Sequence, residues 1–287
     1  MERYKVDLKL RNRITTKQIA IMAVFSAIYA VMRMIPTFPV IGLEGGYFSI
    51  ADILAPIYGV ILGPYIGGIS VIIGTFIGMS TKAPIFLGLD FLPALVNTVA
   101  LGFLVRKKWL PIVILNAALL VAFVFNPLTL NFIEISIGNT TLMLPFIWVH
   151  IIAFIVLLSP LGMKAGKWVR NAKPPNNATA DNIKSGSNKG IKQIFSKTVM
   201  GFVSLAFIGT MMQHLMGNIL YENIFVYITN IMTLEAIKGR WLIIAFLYPW
   251  ERLVLIILAT IIGLPLLYVL KKTLLIKETN KIITEDE

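Results

Sequence analysis

Residues 49–80 are apolar for about twice the length of a short membrane crossing, with Asp52 as the single charge among them. A helix needs about 20 apolar residues to cross roughly 30 Å of hydrocarbon. This block therefore has to be broken, and Gly63-Pro64 divides it. Proline fits the first turn of a helix, and glycine fits the turn before it. The expectation is two short spans, 49–62 and 64–79, joined by a tight turn.

The remaining apolar runs extend the pattern. Spans are expected at 17–35, 85–105, 109–125, 141–158 and 198–221. The last apolar run is interrupted at Tyr248-Pro249, and the residue before a proline disfavours helix. Residues 241–248 are therefore read as an approach segment and 250–270 as the final span. The count is eight, in an all-α polytopic transmembrane bundle that forms a single integral membrane domain over residues 1–287. Composition agrees: of 287 residues, 57% are hydrophobic and 14% charged, where a soluble domain carries about 25% charged residues. Residues 171–192, rich in Pro, Asn, Ser and Lys, read as a flexible cytoplasmic linker within that domain.

The net charge of +12 raises the question of nucleic acid, but its distribution points to topology. Four regions hold 21 of the 26 Lys and Arg: the N-terminal arm, Arg106-Lys107-Lys108, residues 164–197, and the tail from Lys271. They alternate with loops poor in basic residues, as the positive-inside bias produces. Eight spans place all four regions and both termini in the cytoplasm of a multi-pass cell-membrane protein. Contact with anionic lipid accounts for the excess charge, so no nucleic-acid partner is expected.

On this map the ionisable residues near the spans gather toward the outer leaflet. They are Arg33, Asp52, Asp90, His214, Glu251 and Arg252, with Glu44 and Glu134 in external loops. Charges inside hydrocarbon cost several kcal/mol unless they face a cavity or a partner, so such groups mark a functional site by default. Singly, each is explained as an interface charge that snorkels to water. Together they suggest a polar chamber open to the exterior. Asn97 and His150 lie deeper, and His150 reads as bundle packing. The chain has no cysteine, and no HExxH, GxSxG or Walker motif is present. The two histidines are on different spans. The expectation is no catalytic residue, no metal and no cofactor, and hence not an enzyme.

The first span carries a second feature. At 100° per residue, Ala20, Ala23, Ala27 and Ala30 fall within an arc of about 80°. Ala23 and Ala27 have the small-xxx-small spacing that lets membrane helices approach closely. A packing partner within the chain is one reading, and a surface kept smooth for a separate protein is the other.

Three stretches together resemble a known family. They are this alanine stripe, the segment Gly46, Phe48, Ser49, Ile50, Ala51, Asp52, Ile53 with Gly63-Pro64 and Gly67 after it, and the closing span with Gly263 and Pro265 ahead of Lys271-Lys272. They are similar to the substrate-binding S components of energy-coupling factor (ECF) transporters. The resemblance implies a helical bundle that captures a vitamin or related micronutrient from outside. It also implies docking through the first helix on a transmembrane coupling protein driven by two separate ATPases. Residues 42–47 would form a lid, and Ala20, Ala23, Ala27 and Ala30 the docking face. Such proteins usually have six spans, so two of the eight would be an insertion.

The expected substrate site combines Glu44, Tyr47, Asp52, Asn97, His214, Trp250 and Glu251. Tyr47 and Trp250 would stack on a planar ring, and the carboxylates would take hydrogen bonds or a cationic group. The alternative is a stand-alone secondary transporter or channel for a small solute, coupled to an ion gradient through Asp52 or Glu251.

Overall fold

The computed structural model describes residues 14–81, 83–172 and 188–272; the side chains at 137, 188–195 and 272 are not part of that description. Most of the basic N-terminal arm, the greater part of the expected linker and most of the basic tail lie outside the described residues. The fold is 73% helix and 8% strand. Among the described residues, three helices are long and apolar enough to cross a membrane, or up to four if a bent pair is one span, and two shorter apolar helices accompany them.

Helix α1 (Thr16–Arg33) opens with a capping box. The Gln18 backbone N–H donates to Thr15 Oγ1 at 3.2 Å, and the Thr15 N–H donates to Gln18 Oε1 at 2.9 Å. Two otherwise orphaned donors are satisfied this way. A short hairpin follows, β1 (Pro36–Pro39) paired antiparallel with β2 (Tyr47–Ser49). Gly42 and Gly45 carry φ of +86° and +69° in its loop, which glycine adopts without steric penalty. A 3-10 turn (Ile50–Ile53) then leads into α2 (Leu54–Met79).

Gly63 breaks α2, with φ 78° and ψ −178°. The chain reverses there. A Cβ on Gly67 would lie 2.8 Å from the Tyr58 carbonyl oxygen, although nine residues of continuous helix would hold the two about 13 Å apart. Both arms pack on α1. Tyr58 Oη donates to the Phe25 carbonyl at 2.8 Å from the first arm, and Ser70 Oγ donates to that of Met22 at 3.4 Å from the second. Gly74 brings the second arm closer still: a Cβ there would sit 2.7 Å from the Ser26 carbonyl oxygen. Small residues permit this approach where no hydrophobic effect drives helices together.

Helices α3 (Leu92–Val105) and α4 (Trp109–Val124) complete this half. A second hairpin, β3 (Phe132–Ile137) with β4 (Thr140–Pro145), precedes α5 (Trp148–Leu158) and α6 (Pro160–Arg170). α5 and α6 are bent by 68°. Ser159 Oγ caps α6 by accepting from the Leu161 N–H at 3.2 Å, and Pro160 occupies its first turn. Two long helices finish the chain. α7 (Asn188–Glu222) runs into a π-helical turn (Asn223–Ile228), and α8 (Leu234–Lys272) follows.

Four expectations need correction. The fold is not purely helical, because two hairpins are present. The run at 141–158 starts as strand, which leaves only the 11 residues of α5 as its helix. Residues 85–91 are loop, so that span starts late, at Leu92. Finally, α8 continues through Pro249 and Pro265. Proline removes one backbone donor and crowds the turn before it, but neighbouring helices re-satisfy the freed groups in membrane proteins.

Candidate functional site

Beneath the β1–β2 hairpin lies a chamber with about 100 Å³ of room for the centres of water-sized molecules. That is room for a small solute. Its lining comes from elements far apart in sequence. The hairpin supplies Val40, Ile41, Tyr47 and Phe48, and α1 supplies Arg33. Asp52 comes from the turn before α2, and Phe86 and Asp90 from the loop before α3. α7 presents Gln213, His214, Gly217, Asn218 and Tyr221, and α8 presents Ile244, Leu247, Tyr248, Glu251 and Arg252.

These two helices show why the sequence folds this way. The α7 residues recur at i, i+1, i+4, i+5 and i+8, and those on α8 at i, i+3, i+4, i+7 and i+8. Each set is one face of a 3.6-residue helix. The α8 set straddles Pro249 and shares a face only because the helix continues through it.

Polar groups at the wall are held in relays. Asn97 Nδ2 donates to Gln213 Oε1 at 2.7 Å, and Gln213 Nε2 donates to Asp52 Oδ1 at 2.8 Å. Gly209 leaves room for the Asn97 amide, since a Cβ there would collide with it. Asp90 accepts from the backbone N–H groups of Ile85 and Phe86 at 2.9 and 3.0 Å, and Arg33 Nη2 stands 3.6 Å from its Oδ1. Asp90 thus shapes its loop and anchors Arg33. Arg252 Nη2 stands 3.5 Å from Glu251 Oε2.

The two histidines meet. His150 Nε2 lies 3.0 Å from His214 Nδ1, with ring planes 13° apart and centroids 5.1 Å apart. Asn218 Nδ2 also approaches His214 Nδ1, at 3.5 Å. Tyr248 packs against both rings and donates its hydroxyl proton to the Phe146 carbonyl at 2.8 Å.

The lid is latched. Tyr221 Oη donates to the Ile41 carbonyl at 2.6 Å. Gly42, next in the loop, lies flush against the Arg240 side chain, where a Cβ would overlap the guanidinium.

Of the residues expected at the site, Tyr47, Asp52, His214 and Glu251 line the chamber. Asn97 stands one shell behind, acting through Gln213. Glu44 is exposed on the hairpin loop and does not line the chamber. Trp250 does not line it either. It is 69% exposed and borders a separate apolar groove with Trp148, Phe207 and Phe246. Helical geometry is the reason: Trp250 is about 100° round α8 from Glu251, on the outer side. Sequence reading missed Asn218, Tyr221 and Tyr248, undervalued Arg252, and set His150 apart from His214. The helical stripe on α7 was the available signal. On α1, Ala20, Ala23 and Ala27 are exposed, whereas Ala30 is 2% exposed and packs inward, so it offers no docking surface. No group of three or more metal-ligating side chains occurs among the described residues.

The site and fold together define a mostly helical protein of membrane-embedded character, with charged and apolar side chains lining a small chamber beneath a hairpin. Comparison with models of protein families, with characterised proteins and with solved structures finds no match to this chain.

Proposed function

We propose that the chain is the substrate-binding subunit of an ECF-type importer. It would capture a vitamin-like micronutrient from outside and dock through α1 on a transmembrane coupling protein driven by two ATPases. The observation that carries this reading is the chamber closed by the loop after the first helix. It is small, it is lined by five charged residues drawn from four separate parts of the chain, and a hydrogen bond from Tyr221 ties its cover to α7. A capture subunit needs such a removable cover, because it must take solute from one side and retain it.

In this reading eight helical arms cross the bilayer: α1, the two arms of α2, α3, α4, the bent pair α5–α6, α7 and α8. The chamber then lies in the outer leaflet and both termini in the cytoplasm. Ala20, Ala23 and Ala27 form the outward strip that a coupling protein would cover, with Ser26 and Tyr29 on the opposite, buried side of α1.

Co-purification of the tagged chain from its native membrane tests the proposal. A coupling protein and two ATPases should accompany it, and Ala23→Trp or Ala27→Trp should release them without altering the melting temperature. Retention of the partners by both variants would overturn the docking face. Solute uptake by the chain alone in proteoliposomes would replace this reading with the stand-alone carrier.

A further inference from the structure

The charges around the chamber are incompletely matched, and this bears on what the chamber takes. The inference rests on reading the chamber as a solute site. Asp52 lies in the electrostatic fields of both Arg252 and Arg33. Yet the ion pairs formed among the described residues, within a 4.0 Å limit, are Arg33 with Asp90 and Arg252 with Glu251. Neither guanidinium reaches Asp52.

The pairs differ in how complete they are. Arg33 faces a carboxylate already fixed by two backbone donors, so that corner is settled. Arg252 is 4% exposed, touches Glu251 only at 3.5 Å, and has a buried Nε with no hydrogen-bond partner. An ionised carboxylate offers about four lone-pair sites. Asp52 accepts from Gln213, which leaves acceptor capacity. One anion and one cation that cannot reach each other thus line the same small space.

We propose that the ligand bridges them: a small zwitterion, with a protonated amine on Asp52 and a carboxylate or comparable anionic oxygen on Arg252. A simple amine would satisfy Asp52 and leave Arg252 Nε bare. A simple acid would reach Arg252 and face the carboxylates of Asp52 and Glu251. The chamber, with about 100 Å³ of room for the centres of water-sized molecules, admits an α-amino acid of modest size. Ile244 and Leu247 of the same wall give an apolar side chain something to pack on. Buried charged hydrogen bonds of this kind discriminate strongly, because an analogue lacking one group leaves its protein partner unpaired.

The test uses the full chain in detergent, with melting temperature as readout. The probes are glycine, alanine, valine and leucine, against the matched amines (methylamine to isoamylamine) and matched carboxylic acids (acetate to isocaproate). Native mass spectrometry of the purified chain identifies any solute it already holds. At least one amino acid should raise the melting temperature, or the retained solute should be a zwitterion. Asp52→Asn and Arg252→Gln should each weaken that binding tenfold or more while the unliganded protein still melts cooperatively. Arg252→Lys should restore part of it. The proposal is overturned if the matched amines or acids stabilise as well as the amino acids, or if the retained solute lacks either charge. It is overturned equally if both variants bind as the parent does. A chain that retains no solute and responds to none of the three series would count against the solute-site reading itself.

Discussion

Tyr221 Oη donates to the carbonyl oxygen of Ile41 at 2.6 Å, joining the chamber end of α7 to the tip of the β1–β2 hairpin across 180 residues of sequence. It is the one side-chain hydrogen bond to residues 40–46 among the described residues, beside the buried Val40 and the partly buried Leu43 that pack on the core. Tyr221→Phe keeps the ring contacts with Phe225 and Trp241 and removes only the donor. A typical hydrogen bond contributes about 0.5–1.5 kcal/mol net, so ligand dissociation should quicken roughly three- to tenfold. Stopped-flow release from the detergent-solubilised chain would show it, and an unchanged rate would mean the latch does not hold the lid.

Gly42 provides a second handle on the same loop. Its φ of +86° strains any side chain, and a Cβ there would also push the Arg240 side chain aside. Gly42→Ala should displace the loop, at a strain of about 1–3 kcal/mol. The expected outcome is faster proteolysis within residues 40–46 and weaker ligand binding, with little change in the melting of the helical body. Arg240→Ala in the same chain should relieve the clash but not the backbone strain, so protection should return only in part.

The two faces of α1 should respond oppositely to bulk. Gly74 faces the Ser26 carbonyl at a distance that excludes even a methyl group. Gly74→Val should therefore destabilise the bundle by about 1–3 kcal/mol, as overpacking does. Ala23→Trp, on the exposed face, should leave the melting temperature within a degree or two. Thermal melts in one detergent compare them directly, and equal losses would place Ala23 in a packed interface.

His150 is expected to act through His214. His150→Phe keeps ring packing with Phe146 and Tyr248 but takes away the nitrogen 3.0 Å from His214 Nδ1. Asn218 alone would then hold the His214 ring. The nitrogen chemical shifts of His214 should move, and ligand affinity should fall by less than with His214→Phe. Identical shifts in parent and variant would show that the contact does not order the ring.

Much of the helical layout was legible in the residues. The Gly63-Pro64 reversal, the start of α1 at its capping box and the bounds of α4 follow from local rules about where backbone donors and apolar runs begin and end. The early start given to the run at 85–105 and the helix read into 141–145 failed because hydropathy marks apolar chain without distinguishing helix from strand or apolar loop. Pro249 was read as a break by its local preference, and that reading divided the α8 stripe. Tyr248 and Arg252 were then left without a common face.

Apolar length and proline-glycine punctuation settled that most of this chain is apolar helix, because those signals act within a few residues of themselves. Which charges share a chamber, which histidine meets which, and that Trp250 turns away from Glu251 emerge only when α1, α7 and α8 are packed together. Hydrogen bonds such as Gln213 to Asp52, 161 residues apart, depend on helix rotation and close approach, and no local pattern encodes either.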